Sequence, residues 1–276
     1  MSVVRGRRAT ASWLLVALLL SGCVPRRRQL PEQQPLVGSQ WTAFTPAPIT
    51  SATIIERPFA YFTVGFSPTT NNPSWATYVL PQALRFPTGF HRRSHFISDT
   101  GLPRAHRVMG STYTGSGYSR GHMAPASVIY GRFGQAAADS TFIMSNVCPQ
   151  LQTLNNGTWS ALENAIATGA SSLTGMTVCV GPIYDARPAE FPAGSIVPKV
   201  RVPIAFYALM WWNHDASSKS VTAVVMNQNA PTGHSPRAFI APIRDIENAT
   251  GLDWHSWMTP AQQDAIELHR NPWFSP

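Results

Sequence analysis

Only three cysteines, Cys23, Cys148 and Cys179, occur in the chain. That scarcity excludes a disulfide-stapled scaffold and a cysteine-built zinc centre. Charged residues are also sparse, 12% against 44% hydrophobic, which excludes a disordered chain because enough apolar surface exists to offset the entropy of ordering. The apolar run Ala11 to Leu20 falls short of the roughly 20 residues that a membrane-crossing helix needs. No repeat at solenoid or propeller spacing is present. Gly115-Ser116-Gly117 lacks the rest of a dinucleotide fingerprint and does not follow a βαβ strand. What is abundant is turn-forming residue: 24 prolines and 19 glycines disfavour long helical bundles.

The amino terminus has the layout of an export signal, with Arg5, Arg7 and Arg8 ahead of Ala11 to Leu20 and then Ser21-Gly22-Cys23. Leu20-Ser21-Gly22-Cys23 resembles a bacterial lipoprotein cleavage site. The resemblance implies a signal peptide over residues 1–22, lipidation of Cys23, and a body held in water by acyl chains in a bilayer. Val24 after Cys23 suggests the outer membrane, with the protein facing periplasm or exterior. Residues 23–50 are rich in Pro, Gln and Arg and read as a flexible tether. Residues 51–276 then form one catalytic domain, of a size that supports a sizeable core. The formal charge is +8, but Arg5, Arg7, Arg8, Arg26, Arg27 and Arg28 lie outside that domain. Without them and Glu32 the balance is about +3, which permits phosphate binding without demonstrating it. For Cys148 and Cys179 the sequence leaves both a single bridge and two buried thiols open.

Short β-branched or aromatic runs bounded by turn residues predict strands at Tyr61 to Phe66, Trp75 to Leu80, Thr141 to Val147, Met176 to Ile183, Ile204 to Trp212 and Val221 to Met226. The clearest helical pattern runs from Leu154 to Thr168, with Leu162 and Ile166 four apart, Gly169 as a stop and Gly157 weakening its first turn. Further helices are expected at Ile243 to Ala249 and, after Thr259 as N-cap, at Pro260 to His269. The mixture is α+β.

Chemistry concentrates in Tyr118-Ser119-Arg120-Gly121-His122-Met123-Ala124-Pro125 and in Asn155 through Trp159 to Glu163. A neutral imidazole such as His122 accepts a proton near neutral pH, where an ordinary carboxylate is a weak base. Arg92, Arg93 and Arg120 offer planar, permanently charged donors for a phosphate. On one continuous helix, Asn155 and Glu163 would lie about 80° apart around the axis and about 12 Å apart along it. They could not easily share one ion, so the spacing favours Asn155 as a direct ligand and Glu163 acting through water, a sparse site that suits Mg²⁺. The other histidines form no metal pattern; His91 and His95 have ligand-compatible spacing without partners.

Arg120-Gly121-His122, Ser145-Asn146-Val147-Cys148-Pro149-Gln150 and Leu154-Asn155 through Trp159 to Leu162-Glu163 resemble the DNA/RNA non-specific endonuclease family. Gly115 to Tyr118, Thr177 to Tyr184 and Ala241 to Asp253 extend the likeness, which covers roughly Ile55 to Trp254. The resemblance implies a ββα-metal (His-Me finger) fold with a central, mainly antiparallel sheet flanked by helices. It also implies Mg²⁺-dependent cleavage of DNA and RNA, with Mn²⁺ as a substitute, leaving 5′-phosphate and 3′-hydroxyl ends. By position, His122 matches the general base, Asn155 the direct metal ligand and Glu163 the residue that orients metal-bound water. Counting from His122 through Phe96 favours Arg92 over Arg93 as the family's upstream arginine. Arg120 and Asn146 match further catalytic-site positions, and Gln150 supports the same strand end. Ser119 departs from the pattern, because the family usually carries aspartate there. The competing expectation is a surface lipoprotein that kept the scaffold for nucleic-acid binding and lost turnover.

Overall fold

A computed structural model describes residues 46–48, 53–86, 88–173, 175–193, 198–212 and 220–274. All belong to the unit Pro35–Pro276; the expected signal peptide, Cys23 and most of the expected tether lie outside the described residues. Ala47 and Pro48, assigned to the tether by sequence, pair antiparallel with Leu252 and Asp253.

The strands are β1 (Ile55–Pro58), β2 (Thr63–Ser67), β3 (Asn72–Pro81), β4 (Ser119–His122), β5 (Val147–Gln150), β6 (Gly175–Ile183), β7 (Ala205–Trp212) and β8 (Val221–Asn227). Six of them build one sheet in the order β8-β7-β6-β3-β2-β1, every pairing antiparallel. The helices are α1 (Ala126–Phe133), α2 (Gln135–Ser140), α3 (Gln152–Asn155), α4 (Thr158–Ser172), α5 (Ile243–Thr250) and α6 (Pro260–Glu267).

β6 is buried along its whole length and β7 at all but one residue, so both faces of the central strands must be covered. Period-two alternation divides their side chains. Val178, Val180, Phe206, Ala208 and Met210 pack with Tyr78, Trp159, Leu162 and Ile166 on the face covered by α4. Cys179, Tyr207 and Leu209 pack with Trp75, Ile243, Ile246, Trp254 and Ile266 on the face covered by α5 and α6. The result is three layers. Cys148 and Cys179 are both buried free thiols, so no bridge joins them. Among the described residues no helix is long and apolar enough to cross a membrane.

α1 is tied down by Arg132, which is 1% exposed and has no carboxylate partner among the described residues. Its guanidinium donates instead to Pro81 O, Ala167 O and Ser171 Oγ at 2.8 Å each. One cation thereby joins α1, β3 and α4.

Two expected elements are corrected. Thr141 to Val147 is not a strand: a single bridge at Ile143 leads into a 3₁₀ turn at Met144–Asn146, and β5 starts at Val147. Side-chain bonds set the turn, since Asn146 Nδ2 donates to Thr141 O and the Thr141 hydroxyl donates to Ala138 O. The helix expected from Leu154 onward is broken at Asn156–Gly157 into α3 and α4. A Cβ at Gly157 would lie 2.3 Å from the Thr153 carbonyl oxygen, so only glycine fits this corner. At the other end of the chain, Thr259 and Gln262 form the capping box that starts α6, which ends two residues earlier than expected.

Candidate active site

β4 and β5 pair as a separate two-stranded unit, with Gly121 opposite Cys148 and His122 opposite Val147. Close approach of the strands depends on Gly121, where a Cβ would lie 2.0 Å from Gln150 Oε1. α3 and α4 follow β5, so two strands and a helix present His122, Asn155 and Glu163 to one place. α1 and α2, absent from the sequence expectations, are inserted between the two strands.

His122 is 6% exposed. Its ring sits against Phe96 and Phe142, with centroid distances of 5.0 and 4.8 Å. Nε2 has no hydrogen-bond partner. Burial, assisted by the positive charge of Arg92, lowers the imidazole pKa to about 3, so the side chain is neutral throughout the physiological range.

The backbone that carries His122 is held from beneath by Asn146. Ala124 N donates to Asn146 Oδ1 at 2.9 Å, and Asn146 Nδ2 donates to Ala124 O at 3.0 Å. Asn146 is fully buried. The sequence places it among the catalytic residues; the structure makes it a positioning residue, because its amide is spent on backbone and cannot meet substrate.

A cavity of about 350 Å³ is lined by Arg92, His122, Asn155, Asn156, Ser160 and Glu163, among others. The break at Gly157 removes the continuous-helix relation between Asn155 and Glu163, yet both residues reach this cavity. Arg92 lies over the Phe142 ring at 5.3 Å and acts electrostatically on both His122 and Glu163. Arg93 does not line this cavity; its guanidinium meets His95 Nε2 at 3.4 Å. Burial raises the Glu163 carboxyl to about 8, opposed by Arg92.

A second cavity of about 410 Å³ shares Arg92, Asn155 and Asn156 with the first and adds Arg93, Ser119 and Arg120. Arg120, expected beside the base, is thus absent from the lining around His122. Its guanidinium is drawn off by Gly110 O at 3.1 Å and by the Phe96 ring at 5.1 Å.

The donor set suits a hard divalent cation. Asn155 Nδ2 donates to Asn156 Oδ1 at 3.1 Å, and its own carbonyl oxygen receives no donor among the described residues. Glu163 adds carboxylate oxygen to the same cavity, with no thiolate and no histidine pair. Sparse oxygen ligation of this kind leaves room for water, as Mg²⁺ requires. The one grouping of three acidic metal-capable side chains among the described residues, Glu247, Asp253 and Glu267, lies with α5 and α6 instead.

Sequence reasoning missed the clamp that brings Arg92 here. Asp99, 2% exposed, accepts from Arg57 Nε and Nη2 at 2.9 and 2.8 Å, from Ser145 Oγ at 2.7 Å and from Gly101 N at 2.9 Å. Ile97 N donates to Phe142 O, and Met144 N to Ile97 O, at 2.9 Å each. The arginine-bearing segment is therefore fastened to the same turn that contains Asn146. The paired signals, Arg57 with Asp99 and Asp99 with Ser145, are 42 and 46 residues apart, and no local spacing rule links them.

The family model described as DNA/RNA non-specific endonuclease matches residues 47–259. Human mitochondrial endonuclease G is 32% identical over 196 residues, covering 68% of this chain and 65% of that protein. A nuclease of Nostoc sp. is 26% identical over 270 residues, covering 92% of this chain and 94% of its own length. The chain spans just under two thirds of the mitochondrial relatives it matches. A chain from the crystal structure of the EndoG/EndoGI complex superposes with a TM-score of 0.62 at 24% identity, over 75% of this chain and 88% of that one. The shared architecture is the ββα-metal fold.

Proposed function

Because the chain belongs to the DNA/RNA non-specific endonuclease family, we propose that it is a phosphodiester hydrolase that cuts DNA and RNA internally with Mg²⁺, Mn²⁺ substituting, and leaves 5′-phosphate and 3′-hydroxyl ends. The observation that carries this reading is the unpartnered Nε2 of a neutral, buried His122 in a cavity that also holds Arg92, Asn155 and Glu163.

His122 Nε2 takes a proton from a water as that water's oxygen attacks phosphorus and the bond from phosphorus to the 3′ oxygen breaks; the departing oxygen takes a proton from solvent. The low ground-state pKa keeps the acceptor free, and the negative charge of an arriving phosphate raises its basicity. Arg92 carries a permanent charge to the equatorial oxygens where negative charge accumulates. Asn155 would hold the divalent ion directly and Glu163 through an intervening water. When bound, that ion supplies neutralisation of charge on the phosphate and on the leaving oxygen. Phe96 and Phe142 keep the imidazole in one orientation, and Asn146 fixes the strand end beneath it.

The amino-terminal sequence supports a lipidated Cys23 and action outside the cytoplasm, tethered to a membrane. The competing binding-only reading leaves the buried, unpartnered Nε2 of His122 without a role. The test is incubation of the purified protein with supercoiled plasmid and with RNA, in Mg²⁺, in Mn²⁺ and in excess chelator, followed by end-group analysis. The proposal expects cleavage of both polymers with either metal, 5′-phosphate ends, and none with chelator. Substrates left intact with both metals would defeat it.

A further inference from the structure

The cavity beside the catalytic one carries three guanidinium groups and no counter-charge. Arg92, Arg93 and Arg120 all line it, and no carboxylate does. Neither Arg93 nor Arg120 forms an ion pair with an acidic side chain among the described residues; Arg120 is braced only by a carbonyl and a ring, and Arg93 only by His95. Ser119, also in the lining, contributes a hydroxyl and no charge. Like charges gathered in one concavity repel one another unless an anion enters, and a cleft of a single sign focuses the field on such an anion. The wall formed by Arg92, Asn155 and Asn156 is common to both cavities, so an anion in the second is a near neighbour of the scissile group in the first.

We propose that this second cavity is a phosphate subsite that grips the nucleotide next to the scissile one through Arg93 and Arg120, with Ser119 keeping it free of negative charge. The inference rests on the nuclease reading of the neighbouring cavity. It turns Arg120 from a group at the reacting phosphorus into one that holds the adjacent phosphate. The enzyme then spans two consecutive phosphates of one strand, and a substrate with a single phosphate is a poor one.

Two measurements test this with the full protein. In the first, kcat/KM is compared for a thymidine dinucleotide with one phosphodiester and a trinucleotide with two. The wild type should prefer the trinucleotide by about tenfold or more, the worth of one charge-assisted contact. The preference should collapse in the Arg93→Gln/Arg120→Gln double variant and in Ser119→Asp, chiefly through KM. Ser119→Asp places a carboxylate in the cavity without removing an arginine, and it keeps the test alive if the double variant does not fold. In the second, thymidine 3′,5′-bisphosphate and thymidine 5′-monophosphate are titrated calorimetrically. The bisphosphate should bind the wild type about tenfold more tightly, and Ser119→Asp should lose that margin. A length preference unchanged by the variants, or equal affinities for the two nucleotides, would overturn the subsite. Plasmid cleavage that persists beside such a result would leave the nuclease reading intact. An enzyme that cuts nothing would defeat that reading alone, and the nucleotide titration would still decide the subsite.

Discussion

At the scale of single residues, the two titratable side chains of the proposed catalytic cavity are pushed in opposite senses by desolvation. His122 loses its proton readily and Glu163 keeps its own to about pH 8. A carboxyl that must be ionised to help hold a cation competes with protons for it, so metal affinity rises with pH until that carboxyl is ionised. At limiting Mg²⁺, cleavage by the wild type should therefore climb between pH 6 and about 8 by several-fold, and saturating Mg²⁺ should flatten the climb. Glu163→Gln should be slower throughout and show no such metal-dependent slope. A pH profile recorded at several Mg²⁺ concentrations checks this, and a wild-type profile indifferent to the metal would contradict it. His122, Asn155 and Glu163 were legible in the sequence because the chemistry is local: base, ligand and carboxylate fall on two short segments whose residue types suit the task. Phe96, Phe142 and Asp99 were not, because each acts through partners brought close only by the folded chain. Asn146 was legible as a site residue with both phosphate contact and site geometry open to it, since spacing cannot tell a group that meets substrate from one that holds the backbone beneath it; its bonds to Ala124 and Thr141 favour the second.

At the scale of elements, five of the six sheet strands were readable from β-branched and aromatic runs between turns, each to within a few residues, and only β1 was not. Their reading is reliable where burial on both faces demands near-continuous hydrophobicity, as in β6 and β7. β4 escaped notice because Ser119-Arg120-Gly121-His122 is selected for chemistry and shows no alternation. α1 escaped because it is buried at six of its eight residues and shows no clear polar face, and α2 because it has only six residues and is split from α1 by Gly134 at φ +86°. The Gly157 corner was visible as a weak point, yet helical periodicity alone carried the expected helix straight through it. What fastens α1 to β3 and α4 is Arg132, whose three acceptors are neutral. Arg132→Leu fills similar apolar space and strands two carbonyls and a hydroxyl, and should cost about 3 kcal/mol of stability. Denaturant unfolding should report this as a lowered midpoint at unchanged slope, whereas a loss under about 0.5 kcal/mol would show that the clamp carries no weight.

At the scale of the whole molecule, the candidate cavities and the charge cluster around Glu267 lie with different layers of the sheet. α6, beyond the residues matched by the family model, is held to α5 by Arg244, which pairs with Asp264 and Glu267, while His255 Nδ1 ties Glu267 to the segment between the helices at 2.7 Å. Burial and the neighbouring Glu267 push the Glu247 carboxyl up to about 8 from its ordinary 4.5. Between those values the folded protein binds a proton that the unfolded chain has released, so stability falls as pH rises across that window. Glu247→Gln keeps the acceptor for Trp254 N and removes the ionisation. It should raise Tm at pH 8 by about 2–4 °C for each kcal/mol recovered and leave Tm near pH 4.5 little changed, which thermal unfolding across pH checks. A variant that melts lower than the wild type at pH 8 would contradict the assignment.

All of this turns on a neutral imidazole at the reacting centre. Single-turnover nicking of supercoiled plasmid at saturating Mg²⁺, wild type against His122→Ala, tests it most directly. The account predicts a fall in rate of about 10²–10⁴-fold with the cooperative fold retained and no recovery on adding more metal. A His122→Ala protein that nicks at the wild-type rate would contradict it.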